Sequence, residues 1–494
     1  MKIKYRSKDD NESKQQQPYN SYSLEALKSD HLKTIRQLLA HSDDFVFQTI
    51  SFKEEELTLI YSSSMIDLKQ LNDYLLPKLS MFFDEVDTLW DEHYHSLALS
   101  KISSNDSLFE NLLSGNLLIF YHDKNQFYFR VMSNVAKRET EESATEISVK
   151  GPRDGFTEDI HTNISLIRKR LKTPLLKNKM YDLGKKSQTV AALFYLEGTI
   201  SSSILDQIIQ KLDECDIDYV ESSQQLEEYL GNGRFSLFPL VNYGGRADIV
   251  VQSLKRGRFA LIIDGSPMVL IAPTNLTEQI KSPEDYYNPF YFVALERLLR
   301  VFGLLVSVFL PGFWVGISTY NVEQIPFHLL ATISNSRFGI PFSGPMEAFL
   351  MIWMFEIFRE AGVRLPKSVG QTIAVIGGLI VGDAAIRAGL TSPTLLVVMA
   401  VSTVAQFTLI NQSLIGTVTL LRLFILIISS FLGMFGFFVG LFITICYAAG
   451  LTSFGVGYLE PLSPVTFLDL ITAVLDKPKS LKVHIPNIIT KKKG

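Results

Sequence analysis

The charged residues that interrupt the apolar C-terminal part of the chain are those whose type and spacing bear on chemistry. In Gly370–Gly389, GQTIAVIGGLIVGDAAIRAG, a helix places Gly370, Ala374, Gly377, Gly378, Gly382, Ala385 and Gly389 on one stripe. Small residues let neighbouring helices approach closely. A second stripe carries Thr372, Ile376, Leu379, Ile380, Asp383 and Arg387. It has the makeup of a pore wall, with apolar rings that gate by dewetting and an acidic ring that favours cations. The same residues fit an ordinary packed helix in which Asp383 pairs with Arg387 one turn on. Both readings stand at this point. Glu347 and Glu356 are nine residues apart, so they point to opposite sides of one helix. Glu356 can pair with Arg359 or pack toward Glu360 and Arg364, whereas Glu347 has no partner nearby in the sequence. An ionisable residue within a membrane span faces protein or water, which makes Glu347 the better functional candidate.

Catalytic signals are missing from the sequence. It contains no GxxxxGK[ST] loop, no GxGxxG after a strand, no HExxH, no GxSxG and no paired CxxC. Glu92-His93-Tyr94-His95 is the one tight His/acid cluster. Its two His at i and i+2 do not share a helix face, so it reads as an exposed loop rather than a metal site. With no convergent acid, base, nucleophile or metal set, the chain is expected to be no enzyme and to carry neither cofactor nor metal.

The elements that hold these charges are membrane helices. No charge falls between Arg300 and Glu323, and Val301–Val322 is long enough to cross a hydrocarbon core of about 30 Å. Further apolar segments are Phe338–Phe358, Val369–Gly389, and the uncharged runs Ala388–Leu421 and Leu423–Leu459, which only Arg422 separates. The basic groups Arg297/Arg300, Arg359/Arg364/Lys367 and the Lys-rich C-terminus are all placed in the cytoplasm by the positive-inside rule. Five crossings would put the chain ends on opposite sides. One segment is therefore expected to fall short of a full span, either Ile325–Ile333 or the stretch around Asn411-Gln412-Ser413.

The remainder is soluble in composition. Residues 291–494 carry 14 Lys+Arg against 9 Asp+Glu, a balance of +5, which leaves 33 against 42, or −9, in 1–290. An acidic part with no aromatic-basic strip argues against nucleic acid. Cys215 and Cys446, far apart in unlike surroundings, argue against a disulfide scaffold. The 494 residues allow about three domains. The first 30 read as a disordered tail with no signal-peptide core. Two similar α/β subdomains follow, about 31–145 and 146–290, then a membrane domain of about four to six apolar helices at 291–460 and a basic tail at 461–494. The doubling is visible in order. Leu57–Tyr61 is a strand and Met65–Leu79 a helix; Ser107–Leu113 is a helix ending at Gly115; Leu117–His122 and Gln126–Met132 form a hairpin. Val190–Leu196, Ser201–Leu212, Ala247–Lys255 ending at Gly257, and a hairpin through Asp264-Gly265 repeat the series. Facing subdomains either enclose a ligand cleft or form a rigid platform. Between them Thr157 can cap a helix to about Leu171, with Ile160, Ile164, Ile167 and Leu171 on its packed side. Arg168, Lys169 and Arg170 at its end suit a solvated terminus or a contact with lipid head groups.

The run Ser336–Pro393 resembles the signature of the spore germinant-receptor A subunit, the GerA family of endospore-forming bacteria. The residues that carry the likeness are Pro341-Phe342, Glu347-Ala348, Glu356, Arg359-Glu360-Ala361-Gly362, Arg364-Leu365-Pro366, Gly370-Gln371-Thr372-Ile373 and Gly377-Gly378. Gly151-Pro152-Arg153, Phe156, Glu158-Asp159, Thr162-Asn163, Leu166-Ile167-Arg168 and Ser282–Tyr287 add to it. The resemblance implies a multi-pass protein of the spore inner membrane with its soluble region facing the spore core. It also implies a homo-oligomer that works with a permease-like B subunit and a lipoprotein C subunit, and forms a ligand-gated cation channel that triggers germination. Two other roles remain open. One is a paralogue in the dipicolinic-acid release machinery; the other is a non-conducting scaffold for the permease-like subunit.

Overall fold

The computed structural model describes residues 31–52, 55–85, 90, 94–102, 105–134, 151–152, 154–220, 222–231, 236–364 and 382–463. They form two compact units, 31–230 with 243–272 and 231–242 with 273–463.

The first unit repeats one sheet. Strands β1 (Phe45–Phe52), β2 (Glu55–Ser62), β3 (Ser100–Lys101), β4 (Leu117–Tyr121) and β5 (Gln126–Arg130) lie in the order β1-β2-β4-β5-β3. Strands β6 (Leu176–Leu183), β7 (Thr189–Leu196), β8 (Asn242–Gly244), β9 (Phe259–Ile263) and β10 (Val269–Ala272) lie in the matching order β6-β7-β9-β10-β8. The β1-β2-β4-β5 and β6-β7-β9-β10 ladders are antiparallel throughout. The helices are α1 (His31–Leu38), α2 (Leu76–Glu85), α3 (Asn105–Leu112), α4 (Ile160–Arg170), α5 (Ser202–Asp213), α6 (Ser223–Leu230) and α7 (Ala247–Lys255); α1 and α6 have no counterpart in the sequence reading, and α2 runs beyond the expected Met65–Leu79. A π turn, Leu71–Leu75, leads into α2. The equivalent glycines after α3 and α7, Gly115 and Gly257, both take positive φ, 86° and 83°, which ends each helix at the same point of the repeat. Alternation along β2 and β4 splits their side chains between two layers. Leu57, Leu59 and Ile119 pack with Leu71, Leu75, Leu79 and Phe83, while Ile60, Leu118 and Phe120 pack with Ile35, Leu108 and Leu112.

Helix α4 starts later than its sequence predicts. Thr157 does not cap it. Asp159 does, its Oδ2 accepting the Thr162 amide at 2.7 Å. Ile160, Ile164 and Ile167 are buried with Ala247, Val250 and Leu254 of α7 against β7 and β9. Each such side chain contributes about 1.5–3 kcal/mol.

The second unit is helical: α8 (Phe290–Val315), α9 (Phe327–Arg337), α10 (Gly344–Arg364), α11 (Gly382–Arg387), α12 (Pro393–Gln406) and α13 (Gln412–Gly450). Helix α8 continues through a π turn, Gly316–Tyr320. Phe290–Tyr320 and Ser413–Gly450 are long and apolar enough to cross a membrane, and α12 is a shorter apolar helix. At 11 residues, or about 16 Å, α9 is too short.

Helix α13 is a hairpin. Gly433 has φ 62° and ψ −140°, outside any helical region. Ile425 lies beside Gly440, and Ile428 beside Gly436. A continuous helix would hold these pairs about 22 and 12 Å apart. The chain therefore reverses at Gly433 into two antiparallel halves, 412–432 and 434–450, about 31 and 25 Å long. The uncharged run Leu423–Leu459, which reads as one crossing in the sequence, contains that reversal. Helix α8 runs alongside the first half, with Gly312 against Ile425 and Ser429, and Gly316 against Gly433 and Met434. Helix α12 runs the other way: its Ser402 hydroxyl donates to the Ser307 carbonyl at 3.0 Å.

One end of the bundle is closed by segment 236–242. Thr417 Oγ1, Gln279 Nε2 and Ser453 Oγ donate to the carbonyls of Leu237, Pro239 and Leu240 at 2.5, 2.6 and 2.7 Å. Asp285 takes Arg297 Nε and Arg300 Nη1, both at 2.8 Å, at the start of α8. That explains the acid in the Ser282–Tyr287 motif.

Candidate functional site

Among the described residues Glu347 and Glu356 of α10 each centre a polar cluster, on opposite sides of that helix, as their nine-residue spacing requires. On one side Glu356 lies between two arginines. Its Oε2 meets Arg359 Nη2 at 2.5 Å, and its Oε1 is paired with Arg422 Nη2 of α13. Thr419 Oγ1 lies 3.4 Å from Glu356 Oε1 and accepts from Arg359 Nη1 and Gln406 Nε2, each at 3.0 Å. Arg359 is the partner that the sequence offers Glu356. Arg422 is a partner that the sequence does not disclose, and its lone position between two uncharged runs is the one signal there.

On the other side Glu347 is fully buried. The sequence shows no partner for it, and the fold supplies two. Arg337 Nη2 at the end of α9 lies 3.4 Å from Oε1, and the Ser392 amide donates to Oε2 at 3.0 Å. Ser392 is the N-cap of α12, so Glu347 places negative charge at the positive end of that helix. Thr319 of the π turn is close by: a Cβ on Gly344 would stand 2.6 Å from Thr319 Oγ1 and 3.0 Å from Arg337 Nη2. Wide turns of this kind recur at functional sites.

Asp383 and Arg387 are paired with each other, Oδ2 to Nε at 2.8 Å, and both are exposed. Gly382 is buried against Leu396, and the helix ends at Gly389, whose φ is 67°. Thr372, Ile376, Leu379 and Ile380, with Gly370, Gly377 and Gly378, lie outside the described residues. Residues on either side of that stretch sit at opposite ends of the bundle, Arg359 beside Thr419 and Ser392 beside Glu347.

In the first unit the inter-subdomain motif forms a seam. Arg153 lies outside the described residues, and Gly151 and Pro152 are half-buried. Glu158 is exposed, and its carbonyl accepts the Gly265 amide at 2.8 Å. Asn163 is buried and binds Thr157 twice, its Nδ2 donating to the Thr157 carbonyl at 2.6 Å and its Oδ1 accepting the Thr157 amide at 2.8 Å. Arg168 is neither solvated nor free for lipid. It is 1% exposed, and its Nε and Nη2 grip Asp44 at 2.9 and 2.6 Å. Nearby, Asp43 Oδ2 accepts the Met180 amide at 2.7 Å, and the Asp43 amide donates to the Asn178 carbonyl at 3.1 Å. Lys177 is buried with its ammonium at 3.4 Å from Glu197; burial lowers its pKa, and Glu197 opposes that shift. Among the described residues no group of His, Cys, Asp and Glu is placed to hold a metal; Glu92 and His93 lie outside them.

Residues 33–488 match the family model described as the Bacillus/Clostridium GerA spore germination protein. Over 442 residues the chain is 40% identical to spore germination protein XA of Bacillus anthracis, a match that covers 87% of this chain and 90% of that protein. Over 440 residues it is 30% identical to an uncharacterized membrane protein, YfkQ, of Bacillus subtilis (strain 168), covering 88% and 86%. Among solved structures it is similar to the N-terminal domain of the A subunit of the Bacillus megaterium spore germinant receptor GerK3. That match has 24% identity and a TM-score of 0.37, and covers 50% of this chain and 94% of that one.

Proposed function

The chain belongs to the GerA family of spore germination proteins, and from that premise we propose that it is the A subunit of a nutrient germinant receptor in the spore inner membrane. In this reading it oligomerises into a ligand-gated cation channel, together with a permease-like B subunit and a lipoprotein C subunit, and is not an enzyme. The observation that carries the reading is the inside-out polarity of the second unit. Phe302, Trp353, Val404, Phe431, Phe435 and Phe442 are all more than 60% exposed, while Glu347 and Arg422 are buried. Such a surface suits lipid, and charges held inside a bundle mark function in a membrane.

The hairpin at Gly433 supports an even number of passes. If the apolar sequence run Val369–Gly389 and the shorter apolar helix α12 also cross, then with α8, α10 and the two halves of α13 the passes number six. Six passes keep Arg297, Arg359 and the basic C-terminus on one side, as the positive-inside rule asks. The segment with Ile376 and Leu379 is then the pore-wall candidate.

The test is cation release from spores lacking this chain, across a panel of amino acids and sugars. Loss of early release for one nutrient class supports the receptor and names its nutrient. Slower release with every nutrient overturns it in favour of the dipicolinic-acid paralogue. In parallel, Ile376→Ser or Leu379→Ser is expected to make dormant spores leak cations. Well-assembled mutants that stay dormant would leave the scaffold role instead.

A further inference from the structure

Among the described residues, the cluster between α10 and α13 has one positive charge more than it has negative ones. Glu356 is shared by Arg359 on Oε2 and Arg422 on Oε1, so two guanidinium groups lie against one carboxylate. Both neutral neighbours are hydrogen-bonded into the same network: Thr419 accepts from Arg359 and Gln406, and Gln406 also donates to the Ile415 carbonyl at 3.0 Å. Arg422 is 1% exposed, yet among the described residues its Nε and Nη1 have no hydrogen-bond acceptor. Guanidinium donors removed from water call for acceptors, and a net charge inside a bundle calls for a counter-charge. Arg359 and Glu356 keep 26% and 21% of their side chains exposed, so the cluster opens to the outside on one side.

We propose that the Glu356–Arg359–Arg422 cluster binds a small monovalent anion that supplies the missing negative charge and an acceptor for Arg422. One charge is what the cluster lacks, so a divalent anion would overcompensate. The unfilled donors belong to a nearly inaccessible side chain, so the ligand must be small. Guanidinium groups are the favoured partners of such ions because they stay charged and offer several donors in a plane. Occupancy would neutralise the α10–α13 contact and tie those two helices together. The inference does not depend on whether the bundle conducts.

The experiment uses the full chain in detergent micelles, with chloride as the probe. Thermal unfolding is followed while chloride replaces gluconate, a bulky monovalent anion, at constant sodium and ionic strength. A ligand that binds only the folded state raises Tm with its concentration. For the wild type a saturable rise in Tm is expected. Arg359→Gln removes the excess charge and should abolish the rise. Glu356→Gln raises the excess to two and should steepen it. The opposite signs separate a bound ion from a general salt effect, and they are read from slopes rather than from the variants' own stabilities. A wild-type Tm that ignores chloride, or one slope shared by all three proteins, overturns the proposal.

Discussion

Two arginines, each about 1% exposed, show how differently the two units treat buried charge. In the first unit Arg168 spends every nitrogen: Nε and Nη2 on Asp44, and Nη1 on the Leu176 carbonyl at 2.8 Å, with its guanidinium carbon 4.8 Å from the Phe45 ring centre. In the helical unit Arg422, among the described residues, uses only Nη2, on a carboxylate it shares. A bidentate pair with all donors met is the form in which burial is tolerated. It fixes one arrangement and leaves nothing to bind. A buried arginine with donors to spare is less settled, and it can respond to an ion or to a shift of its neighbours. The comparison separates a charge that holds a fold from a charge that is available for work.

The largest effect should come from breaking the settled pair. Arg168→Ala leaves Asp44 buried with its guanidinium partner gone, and should destabilise the first unit by about 3–5 kcal/mol. The Asp44→Leu/Arg168→Met double variant should recover most of that, since no charge is stranded. Limited proteolysis of the full chain over a denaturant series would measure both. If Arg168→Ala costs under about 1 kcal/mol, Arg168 is no firmer than a surface ion pair and the contrast with Arg422 fails.

In the helical unit the irreplaceable feature is backbone rather than charge. Gly433→Ala should cost about 1–3 kcal/mol from its φ of 62° alone, and its Cβ would meet the Tyr320 Cβ at 2.7 Å. The reversal has a direct chemical test. A Cβ on Gly440 stands 3.9 Å from the Ile425 Cβ, within disulfide reach. With Cys215 and Cys446 replaced by Ser, the Ile425→Cys/Gly440→Cys protein should oxidise to an intrachain disulfide. No cross-link would mean one continuous helix and an odd number of passes.

What the sequence discloses depends on how local the deciding interaction is. The Asp264-Gly265 hairpin, the twin glycines Gly115 and Gly257, and the glutamates on opposite sides of α10 are all set by neighbours within about ten residues, and all were legible. Strand β6, LKNKMYDL, was not read as a strand because its side chains do not alternate. It is specified by its ladder with β7 and by the seam where Asn178 meets Asp43. Arg168 looked like a solvated helix end because its partner, Asp44, is 124 residues away. Arg422 and Arg337 were missed as partners of Glu356 and Glu347 for related reasons. A long uncharged run gives no hint of what its single cation faces, and Arg337 precedes a break in the helix. Gly433 is one glycine among several in α13, and only its dihedral angles distinguish it.

The smallest predicted effect sharpens the contrast inside the first unit, at a carboxyl whose burial is not fully offset. Burial pushes the Glu227 pKa up, the hydrogen bond from Tyr243 at 2.6 Å pulls it down, and Glu228 pushes it up again. The balance is a raised value, so the folded state holds a proton that the unfolded chain releases at about 4.5. The sign follows from that. Stability from this site is complete below the unfolded pKa and is lost as pH rises through the folded one. Glu227→Gln keeps an acceptor for the Tyr243 hydroxyl without the charge. Its stability should match the wild type at low pH and exceed it at neutral pH by less than about 1 kcal/mol, because the group is only half-buried. Unfolding curves of both full-length proteins at acid and neutral pH would show the difference. A variant less stable than the wild type at neutral pH would mean that the charged hydrogen bond outweighs the burial, and that Glu227 is as settled as Asp44.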